Sequence, residues 1–321
     1  MEKKLAIGVD IGGTYIKAGL VDSDGNIEFN LQDDSNADIS PNAVIETTEK
    51  LIREILSQHP SQILGIGIGC PGIVNSETGD VMYPPNFANW KIVNLEKEFS
   101  TKLSVPIRIE NDTKCATLAE LKFGSGKNKK NFIFVTWGTG IGGGIVVDGK
   151  IFKGTNGAAG EIGHISIDHN GNLCKCGNRG CLETYVGRKH ISQKIRTRLE
   201  KLPTDILSSQ KMYELSDGKL ENIQLSTAAA AAYKRDLIAH EVLMEASQFL
   251  GIALGSVVNI LDIQTIILGG GIALSGDFIF DAIELSIRST ALKPLGEKCV
   301  VIPAAFKNDS GIIGASSLIF D

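Results

Sequence analysis

The chain has 321 residues, more than one hydrophobic core usually serves, so about two domains are expected. Its composition, 43% hydrophobic and 21% charged, is that of an ordinary folded soluble protein and excludes a disordered one. The formal net charge is −5, and the densest basic cluster, Lys127, Lys129 and Lys130, is too short to follow a nucleic-acid backbone, so no nucleic-acid partner is expected.

The sequence also argues against export and against a membrane span. The apolar stretch after the first lysines ends at Asp10, which is too short for a secretory signal. The most apolar stretch, FLGIALGSVVNILDIQTIILGGG, is interrupted by Asn259, Asp262 and several glycines, and a membrane helix needs ~18 uninterrupted apolar residues. We therefore predict a cytoplasmic protein with no membrane partner, in which clustered cysteines hold metal rather than form disulfides.

The first predicted elements are three antiparallel strands. The stretch KLAIGVDIGGTYIKAGLVDSDGNIEFNL alternates short β-branched runs with Gly-Gly and Asp-Gly turns. Much later in the chain, NFIFVTWGTGIGGGIVVDGKIF repeats the order strand, Gly-Thr turn, strand, Asp-Gly turn, strand. The repeat predicts two related halves that each open on the same meander.

The elements between and after the meanders predict an α/β protein. A helix is expected at 43–58, a buried strand at 63–69, another strand at 106–109 and a helix after Asn111. After a cysteine-rich stretch the pattern is mostly helical, and it ends with the strand TIILGGG, a helix, the strand CVVIPAA and a last helix. We expect an N-terminal domain at 1–118, a larger domain at 119–303, and a terminal helix within 304–321 that packs back on the first domain.

Three glycine turns are candidates for nucleotide binding. DIGGT, from Asp10 to Thr14, places a carboxylate at a strand end before two glycines, whose backbone N–H groups can cradle phosphate oxygens while the carboxylate holds Mg²⁺ through water. One such turn is usually only a hairpin, but WGTGIGGG repeats it in the second half, and two copies favour a nucleotide. LGGGIA adds a third turn after a strand, where small residues let adenosine approach the backbone. Neither the Walker nor the Rossmann pattern fits these turns.

The stretch ENDTKCATLAE begins at the end of a strand and enters a helix. Asp112 can be the N-cap of that helix, a common position for aspartate. Alternatively, Asp112 can face a γ-phosphate and take the proton from an attacking hydroxyl, as a positioned carboxylate does in phosphoryl transfer. The local sequence leaves both interpretations open.

The stretch GHISIDHNGNLCKCGNRGCLE is the most specific motif. One imidazole and three thiolates form a set suited to a closed structural Zn²⁺ site, and they come from His164, Cys174, Cys176 and Cys181. The stretch is polar and glycine-rich, so it offers no core in which free cysteines would be buried. The other cysteines lie in apolar runs and are expected to be small buried hydrophobes: Cys70, Cys115 and Cys299.

Glu161 and Glu183 bracket this cysteine-rich stretch. Isolated glutamates on a loop are usually solvated, but these two flank a turn that a metal would fix. If zinc binds one imidazole nitrogen of His164, the other nitrogen can face a ligand hydroxyl. The His164 ring is therefore expected to contact a sugar beside the metal, and for the two glutamates the solvated and the functional interpretations both stay open.

Together, these motifs resemble the ROK family of sugar kinases and sugar-responsive repressors. The resemblance covers nearly the whole chain in the family's order, through DIGGTYIKAGLVD, GIGCPGIV, PPNFANW, ENDTKCATLAE, GTGIGGGIVVDGKI, GAAGEIGH, CKCGNRGCLE and LGGGIA. The GEIGH and CKCGNRGCLE pair is highly specific, whereas the glycine turns are shared by the wider superfamily. The resemblance implies a two-lobed, actin-like ATPase (ribonuclease H-like, hexokinase-like) α/β fold with duplicated βββαβαβα halves and a central cleft.

The resemblance also implies roles for single residues. Asp112 is the general base. The sugar is bound by Asn111, Asp112, Glu161, His164 and Glu183, with the backbone near Gly72 closing the pocket. Mg²⁺ and the phosphates lie among Asp10, Gly12, Gly13, Thr14, Gly138, Thr139 and Gly140, and adenosine lies near Gly270 and Gly271. The zinc ligands are His164, Cys174, Cys176 and Cys181, so that the metal shapes the sugar pocket.

The implied activity is ATP-dependent phosphorylation of the primary (6-) hydroxyl of a hexose, with glucose as the first choice, in carbohydrate metabolism and glycolysis. N-acetylmannosamine kinases of the family share the same set, so that sugar or another hexose or N-acetylhexosamine stays open. A sugar-responsive regulator is disfavoured, because only nine residues precede Asp10 and leave no room for a helix-turn-helix. An actin-like or chaperone ATPase shares the glycine turns but does not account for the zinc loop. A homodimer is also implied by the resemblance.

Overall fold

The computed structural model describes residues 4–59 and 63–320, and the chain divides into two compact units. Unit 1 consists of Met1–Lys130, Gly144–Ala159 and Asn308–Asp321, and unit 2 consists of Asn131–Gly143 and Gly160–Lys307. The boundary expected near Leu118 falls inside a helix, Asp112–Lys122. The division into domains at 1–118 and 119–303 stays a prediction.

The first sheet lies in unit 1 and carries the first meander. The strands up to residue 111 are β1 (Leu5–Ile11), β2 (Tyr15–Asp22), β3 (Ile27–Asp34), β4 (Ile63–Cys70), β5 (Ile73–Asn75), β6 (Asp80–Met82), β7 (Ile92–Asn94) and β8 (Ile107–Asn111). One sheet has the order β3-β2-β1-β4-β8, in which β1 and β2 are antiparallel while β1, β4 and β8 are parallel. A separate small sheet is formed by β5, β6 and β7, which the sequence patterns did not predict.

The second sheet repeats the order of the first. Its strands are β9 (Phe132–Trp137), β10 (Ile141–Val147), β11 (Lys150–Ile151), β12 (Thr265–Gly269) and β13 (Val300–Pro303), in the order β11-β10-β9-β12-β13. β9, β12 and β13 are parallel, and β10 and β11 are antiparallel, as in the first sheet. The predicted duplication of the meander is confirmed.

The helices are more numerous in unit 2 than in unit 1. Those before residue 123 are α1 (Pro41–Gln58), α2 (Leu95–Ser100) and α3 (Asp112–Lys122). Unit 2 contributes α4 (Glu183–Val186), α5 (Arg188–Leu199), α6 (Thr204–Ser209), α7 (Lys211–Glu214), α8 (Leu225–Tyr233), α9 (Leu237–Leu261), α10 (Phe278–Thr290) and α11 (Lys293–Gly296). The last helix is α12 (Ser310–Ser317). The helix expected at 43–58 is confirmed as α1, whose start is fixed by the Ser40 side chain accepting the N–H of Ala43 at 3.2 Å.

Helix α12 lies directly on the first sheet, at glycines of β1 and β4. A Cβ atom at Gly8 would stand 2.0 Å from the carbonyl oxygen of Ile312, and one at Gly67 would stand 1.8 Å from that of Ala315. Only glycine allows such an approach of backbone to backbone. The terminal helix therefore completes the core of unit 1.

Helix α9 is, among the described residues, the one helix long and apolar enough to span a membrane by length and composition. Its most apolar window has a mean hydropathy of 1.3, and 56% of that window is buried inside the fold. A buried core helix passes the same test, and α9 packs closely on α10, where a Cβ at Gly251 would lie 2.6 Å from the Ile283 carbonyl oxygen.

Candidate active site and metal centre

Two aspartates lie at one edge of the first sheet in unit 1. Across the parallel strands, Asp10 of β1 pairs with Gly69 of β4, and the next residue, Cys70, pairs with Asn111 of β8. Asp112 follows as the first residue of α3. The carboxyl ends of parallel strands meet at one edge of a sheet, where ligands of open α/β sheets bind. The fold thus brings together two of the acidic residues that the sequence singled out.

The cap of α3 is Asn111 and not Asp112, which removes the capping interpretation of Asp112. The Asn111 Oδ1 accepts the N–H of Lys114 at 3.1 Å, in the manner of an N-cap. Its Nδ2 donates to the carbonyl oxygen of Gly72 at 3.1 Å. Asp112 is therefore not needed as the cap, and Asn111 fastens the Gly72 backbone to the start of the helix.

Gly72 needs to be a glycine for steric reasons. Its φ is +97°, and a Cβ there would lie 2.7 Å from the carbonyl oxygen of Met82 and 2.9 Å from Cα of Pro84. The loop that follows β4 is thus shaped by backbone contacts, and its position beside Asn111 is fixed by a hydrogen bond.

Both aspartates have raised pKa values. Burial, followed by the charge of Asp112, raises the pKa of Asp10 from 3.8 to about 6, and Lys17 opposes the shift. Burial also raises the pKa of Asp112, although hydrogen bonds from the backbone and side chain of Thr113 lower it. A carboxylate whose pKa moves toward neutrality is a stronger base, as general base catalysis requires.

Asp10 also has the environment of a cation ligand. Among the described residues, no protein donor makes a hydrogen bond to its carboxyl oxygens, and the side chain stays partly accessible. Lys17, which pairs with Asp10 across β1 and β2, is the positive charge that acts on it. A partly buried carboxylate without a donor fits a hydrated Mg²⁺.

The glycines of the turns fall into two groups. Gly13 in unit 1 and Gly138 and Gly271 in unit 2 have open space where a Cβ would lie, so a ligand can reach their backbone. Gly270, with a φ of +89°, is instead required by the fold, and Gly140 packs against the Glu183 carboxylate. A Cβ at Gly140 would stand 2.2 Å from Oε2 of Glu183, and one at Gly270 would stand 2.3 Å from the carbonyl oxygen of Trp137.

The remaining predicted residues of the first turn are also in place. Gly12 donates its N–H to the Tyr15 carbonyl oxygen at 2.9 Å, which closes the hairpin between β1 and β2. Thr14 accepts at its carbonyl oxygen the N–H of Ser35, also at 2.9 Å. The DIGGT stretch is therefore a hairpin turn with Asp10 at its base and Gly13 exposed at its tip.

Unit 2 contains a mainly apolar pocket of about 550 Å³. Three of the predicted residues line it, namely Gly138, Thr139 and Gly271. The sequence analysis missed the others, which are Arg188, Gln224, Leu225, Ser226, Ala229, Ala230, Tyr233, Lys234 and Leu274. Most of these lie on α8, whose run of alanines gave a helix signal but no signal of a binding surface. The volume suits a ligand the size of a nucleoside.

The four predicted zinc ligands come together in unit 2. The ligand atoms of His164, Cys174, Cys176 and Cys181 all lie within 4.8 Å of one another. The Cys176 and Cys181 sulfurs are 3.6 Å apart, and the Cys174 sulfur is 3.7 Å from Nδ1 of His164. Zinc–sulfur bonds of about 2.3 Å in a tetrahedron place ligand atoms about 3.7 Å apart, so the residues fit this metal.

A short turn carries two of these residues, Cys174 and Cys176. The N–H of Gly177 donates to the Cys174 carbonyl oxygen at 3.0 Å. The N–H of Cys174 donates to the Asn178 carbonyl oxygen at 2.8 Å. Gly177 has a φ of +92°, which favours glycine at the corner of the turn. The spacing of Cys174 and Cys176, with Gly177 directly after them, therefore determines the shape of this turn.

The two glutamates that bracket the cluster differ in their contacts. Oε2 of Glu161 lies 4.0 Å from Nε2 of His164, the ring nitrogen that does not face the cysteines. Oε2 of Glu183 instead accepts the N–H of Ile141 at 3.2 Å, directly after the turn that contains Gly140. Glu161 thus lies near the imidazole, and Glu183 holds the second glycine turn.

The two sheets have the same strand order, and each begins with a meander that contains a glycine turn. The protein is therefore an α/β protein of the actin-like ATPase fold. The chain belongs to the ROK family, whose model matches residues 6–321.

Individual members of the family are similar over their whole length or most of it. A glucokinase of Streptomyces coelicolor is 32% identical over 318 residues, which cover 98% of this chain and 97% of the relative. A xylose repressor of Bacillus subtilis is 28% identical and matches 98% of this chain but 77% of its own length. A ROK family glucokinase of Streptomyces griseus, solved with glucose and AMPPNP, is 29% identical, with a TM-score of 0.86 and coverage of 98% of each chain.

Proposed function

We propose that the protein is an ATP-dependent sugar kinase that phosphorylates the primary 6-hydroxyl of a hexose, with Asp112 as the general base. The observation that carries this proposal is the arrangement at the β8–α3 corner. Asn111 takes the capping role, and Asp112 is left as a carboxylate of raised pKa at the carboxyl edge of the sheet. The similarity to glucokinases over 97–98% of both chains supports the same conclusion.

The proposed reaction transfers the γ-phosphoryl group of ATP to the sugar hydroxyl. Asp112 accepts the proton of the primary hydroxyl, and the hydroxyl oxygen forms a bond to the γ-phosphorus of ATP. The bond from that phosphorus to the bridging oxygen breaks, so that ADP leaves and the sugar phosphate forms. Phosphoryl transfer requires little covalent chemistry from the protein, so the protein contributes mainly by positioning the reactants and by stabilising charge.

The residues proposed to bind the nucleotide lie in both glycine turns and in the pocket of unit 2. Gly12, Gly13, Thr14, Gly138, Thr139 and Gly140 are proposed for the phosphates, and Gly270 and Gly271 for adenosine. The open space at Gly13, Gly138 and Gly271 supports direct backbone contact, whereas Gly270 acts by shaping its turn. Asp10 is proposed to hold Mg²⁺ through water, which supplies positive charge for the phosphate oxygens when bound.

The sugar is proposed to contact Asn111, Glu161, His164 and Glu183, with the Gly72 backbone at the edge of its pocket. For His164, the Nδ1 contact with Cys174 supports zinc ligation through that nitrogen, which leaves Nε2 for Glu161 or a hydroxyl. For Glu183, the bond to Ile141 occupies one carboxylate oxygen. His164, Cys174, Cys176 and Cys181 are proposed to hold one structural Zn²⁺, which fixes the imidazole when bound.

Glucose is the first choice of substrate, because several relatives that are 30–32% identical over nearly their whole length are glucokinases. An N-acetylmannosamine, other hexose or N-acetylhexosamine kinase is the second choice, since a structure named as a putative N-acetylmannosamine kinase from Listeria monocytogenes is 25% identical with a TM-score of 0.76. A sugar-responsive regulator is a separate class, favoured by the similarity to xylose repressors.

The test is ADP release with glucose, mannose, fructose, allose, N-acetylglucosamine and N-acetylmannosamine, each at saturating Mg-ATP. A kinase gives sugar-dependent ADP with at least one of them, and the proposal for glucose requires the highest kcat/KM with glucose. A regulator instead binds a sugar in calorimetry without releasing ADP, and that result would reject the kinase.

We also propose that the protein is a cytoplasmic homodimer, as the family resemblance implies. Size-exclusion chromatography with light scattering is expected to give about twice the chain mass of 34.3 kDa. A single species at the chain mass, unchanged across a wide range of protein concentration, would contradict this.

A further inference from the structure

Two ionisable side chains are buried on either side of Asp112 along the chain. Glu110, the residue before Asn111, is 2% exposed, and Lys114, two residues after Asp112, is 3% exposed. Removing charges from water costs free energy that a buried pair seldom fully recovers. Their presence at this corner therefore calls for an explanation other than stability.

Glu110 connects the corner to a segment from later in the chain. Its Oε1 accepts the N–H of Asn111 at 2.9 Å, which is the residue that caps α3. Its Oε2 lies 2.8 Å from Nζ of Lys153, and that Nζ also donates to Oγ of Ser76 at 2.7 Å. One lysine thus joins the β8–α3 corner to the residue that follows β5.

Lys114 makes a second connection to the same segment, because its Nζ donates to the carbonyl oxygen of Gly157. Gly157 has a φ of +74°, and a Cβ there would lie 2.4 Å from the carbonyl oxygen of Val74 in β5. The N–H of Ala159 donates to the Lys153 carbonyl oxygen at 3.1 Å, which closes residues 153–159 into a loop. This loop is therefore tied to α3 at one point, to β8 at another, and packs on β5.

We propose that Lys153 and Lys114 are positioning residues for Asp112, which fasten the 153–159 loop to the β8–α3 corner and so fix where the Asp112 carboxylate stands. This inference rests on the proposed kinase function. Asp112 lies between Glu110 and Lys114, so both ends of the five-residue turn that carries it are tied down. A displacement of the base by about 1 Å is enough to lower the rate about 100-fold. We call these two connections the clamp, and its role would be to prevent such a displacement.

The test replaces the pair without leaving a buried charge behind. In the double variant Glu110→Gln with Lys153→Met, both side chains keep a similar volume, and Lys153 is only half-buried, so the fold is expected to persist. We expect kcat to fall about 10- to 100-fold, while KM for sugar and for ATP changes less than about twofold. Lys153→Arg keeps the cation and is expected to stay within about threefold of wild-type kcat.

Lys50→Met is the matched control, because it breaks a lysine–carboxylate pair of 2.7 Å at Asp33 on the exposed surface. It is expected to leave kcat and both KM values unchanged. A double variant with wild-type kcat, or one in which KM rises as much as kcat falls, overturns the clamp. Wild-type protein without sugar-dependent ADP release instead overturns the proposed function.

Hydrogen exchange tests the clamp independently of activity. If the clamp fixes the corner, the backbone N–H groups of residues 111–114 exchange at least about tenfold faster in the double variant than in Lys50→Met. Equal exchange rates at 111–114 in the two variants overturn the proposal. Lys114→Met is measured in the same way, and faster exchange at 155–158 is expected, because the Gly157 carbonyl loses its donor.

Discussion

At the scale of one residue, Asp10 shows how a buried carboxylate lowers stability. Burial raises its pKa from the ordinary value of 3.8 to about 6, so the folded state binds more protons between these values. Stability therefore falls as the pH rises through this window and stays lowered above it. A shift of that size corresponds to about 3 kcal/mol. The proposed Mg²⁺ would offset this cost by pairing with the carboxylate.

We predict that Asp10→Asn is more stable than wild type by about 2–3 kcal/mol at pH 8 in metal-free buffer, and that the gain disappears near pH 4. The physical reason is that the amide carries no charge to be buried. Urea unfolding at the two pH values in the presence of EDTA measures it. Asp34→Asn, at an exposed position of β3, is the control and is expected to show no such pH-dependent gain. Equal stability of Asp10→Asn and wild type at pH 8 would contradict the buried charge.

The sequence singled out Asn111 and Asp112 at the β8–α3 corner, but it did not predict which of them caps the helix. Asn and Asp are both good N-caps, and a helix start shifted by one residue exchanges their roles. The hydrogen bond from the Lys114 N–H to Asn111 Oδ1 decides the matter, and no local pattern contains it. Glu110, Lys114 and Lys153 were missed for a related reason, because their contacts join residues far apart in the chain.

At the scale of elements, the loop that carries His164, Cys174, Cys176 and Cys181 is the part that the sequence describes best. The four side chains lie within one stretch of 18 residues, and the structure brings their ligand atoms within 4.8 Å of one another. The small sheet of β5, β6 and β7 is the opposite case. Its strands have three residues each, which is too few for an alternation of apolar and polar residues to be recognised. Only the pairing between the strands defines the sheet.

We predict that wild-type protein contains about one zinc per chain and that Cys176→Ser contains none. Cys176 is exposed, so its replacement leaves no cavity, and the loss of Tm is expected to reflect the loss of the metal. Elemental analysis and thermal unfolding provide the measurements. Cys299→Ser removes a cysteine outside the cluster and is expected to keep the zinc. Zinc retained by Cys176→Ser, or absent from wild type, would refute the ligand set.

The pocket beside α8 gives a second prediction for an element. Ala230→Leu places a larger side chain in the lining of the pocket, so KM for ATP is expected to rise about tenfold, with KM for the sugar unchanged. Steady-state kinetics with each substrate varied in turn measure this. Gln248→Leu, which puts the same side chain on an exposed site of α9, is the control. A larger effect on the sugar than on ATP would place the nucleotide elsewhere.

At the scale of the whole molecule, the duplication was the most predictable feature. Two meanders with the same turns predicted two sheets of one order, and β3-β2-β1-β4-β8 and β11-β10-β9-β12-β13 confirm it. Chain order in such sheets follows from short connections and the pairing of sequential strands. The choice of hexose was not predictable, because it depends on the shape of a pocket whose contacts come from loops spread along the chain.

The central claim, that Asp112 is the base of a sugar kinase, is tested most directly by comparing turnover with sugar binding in Asp112→Asn. The amide has the same shape but cannot accept the proton, so kcat is expected to fall about 100- to 10,000-fold. The Kd of the sugar in calorimetry is expected to stay within about threefold, because binding does not require the proton transfer. Turnover near the wild-type value, with the sugar still bound, would contradict the account.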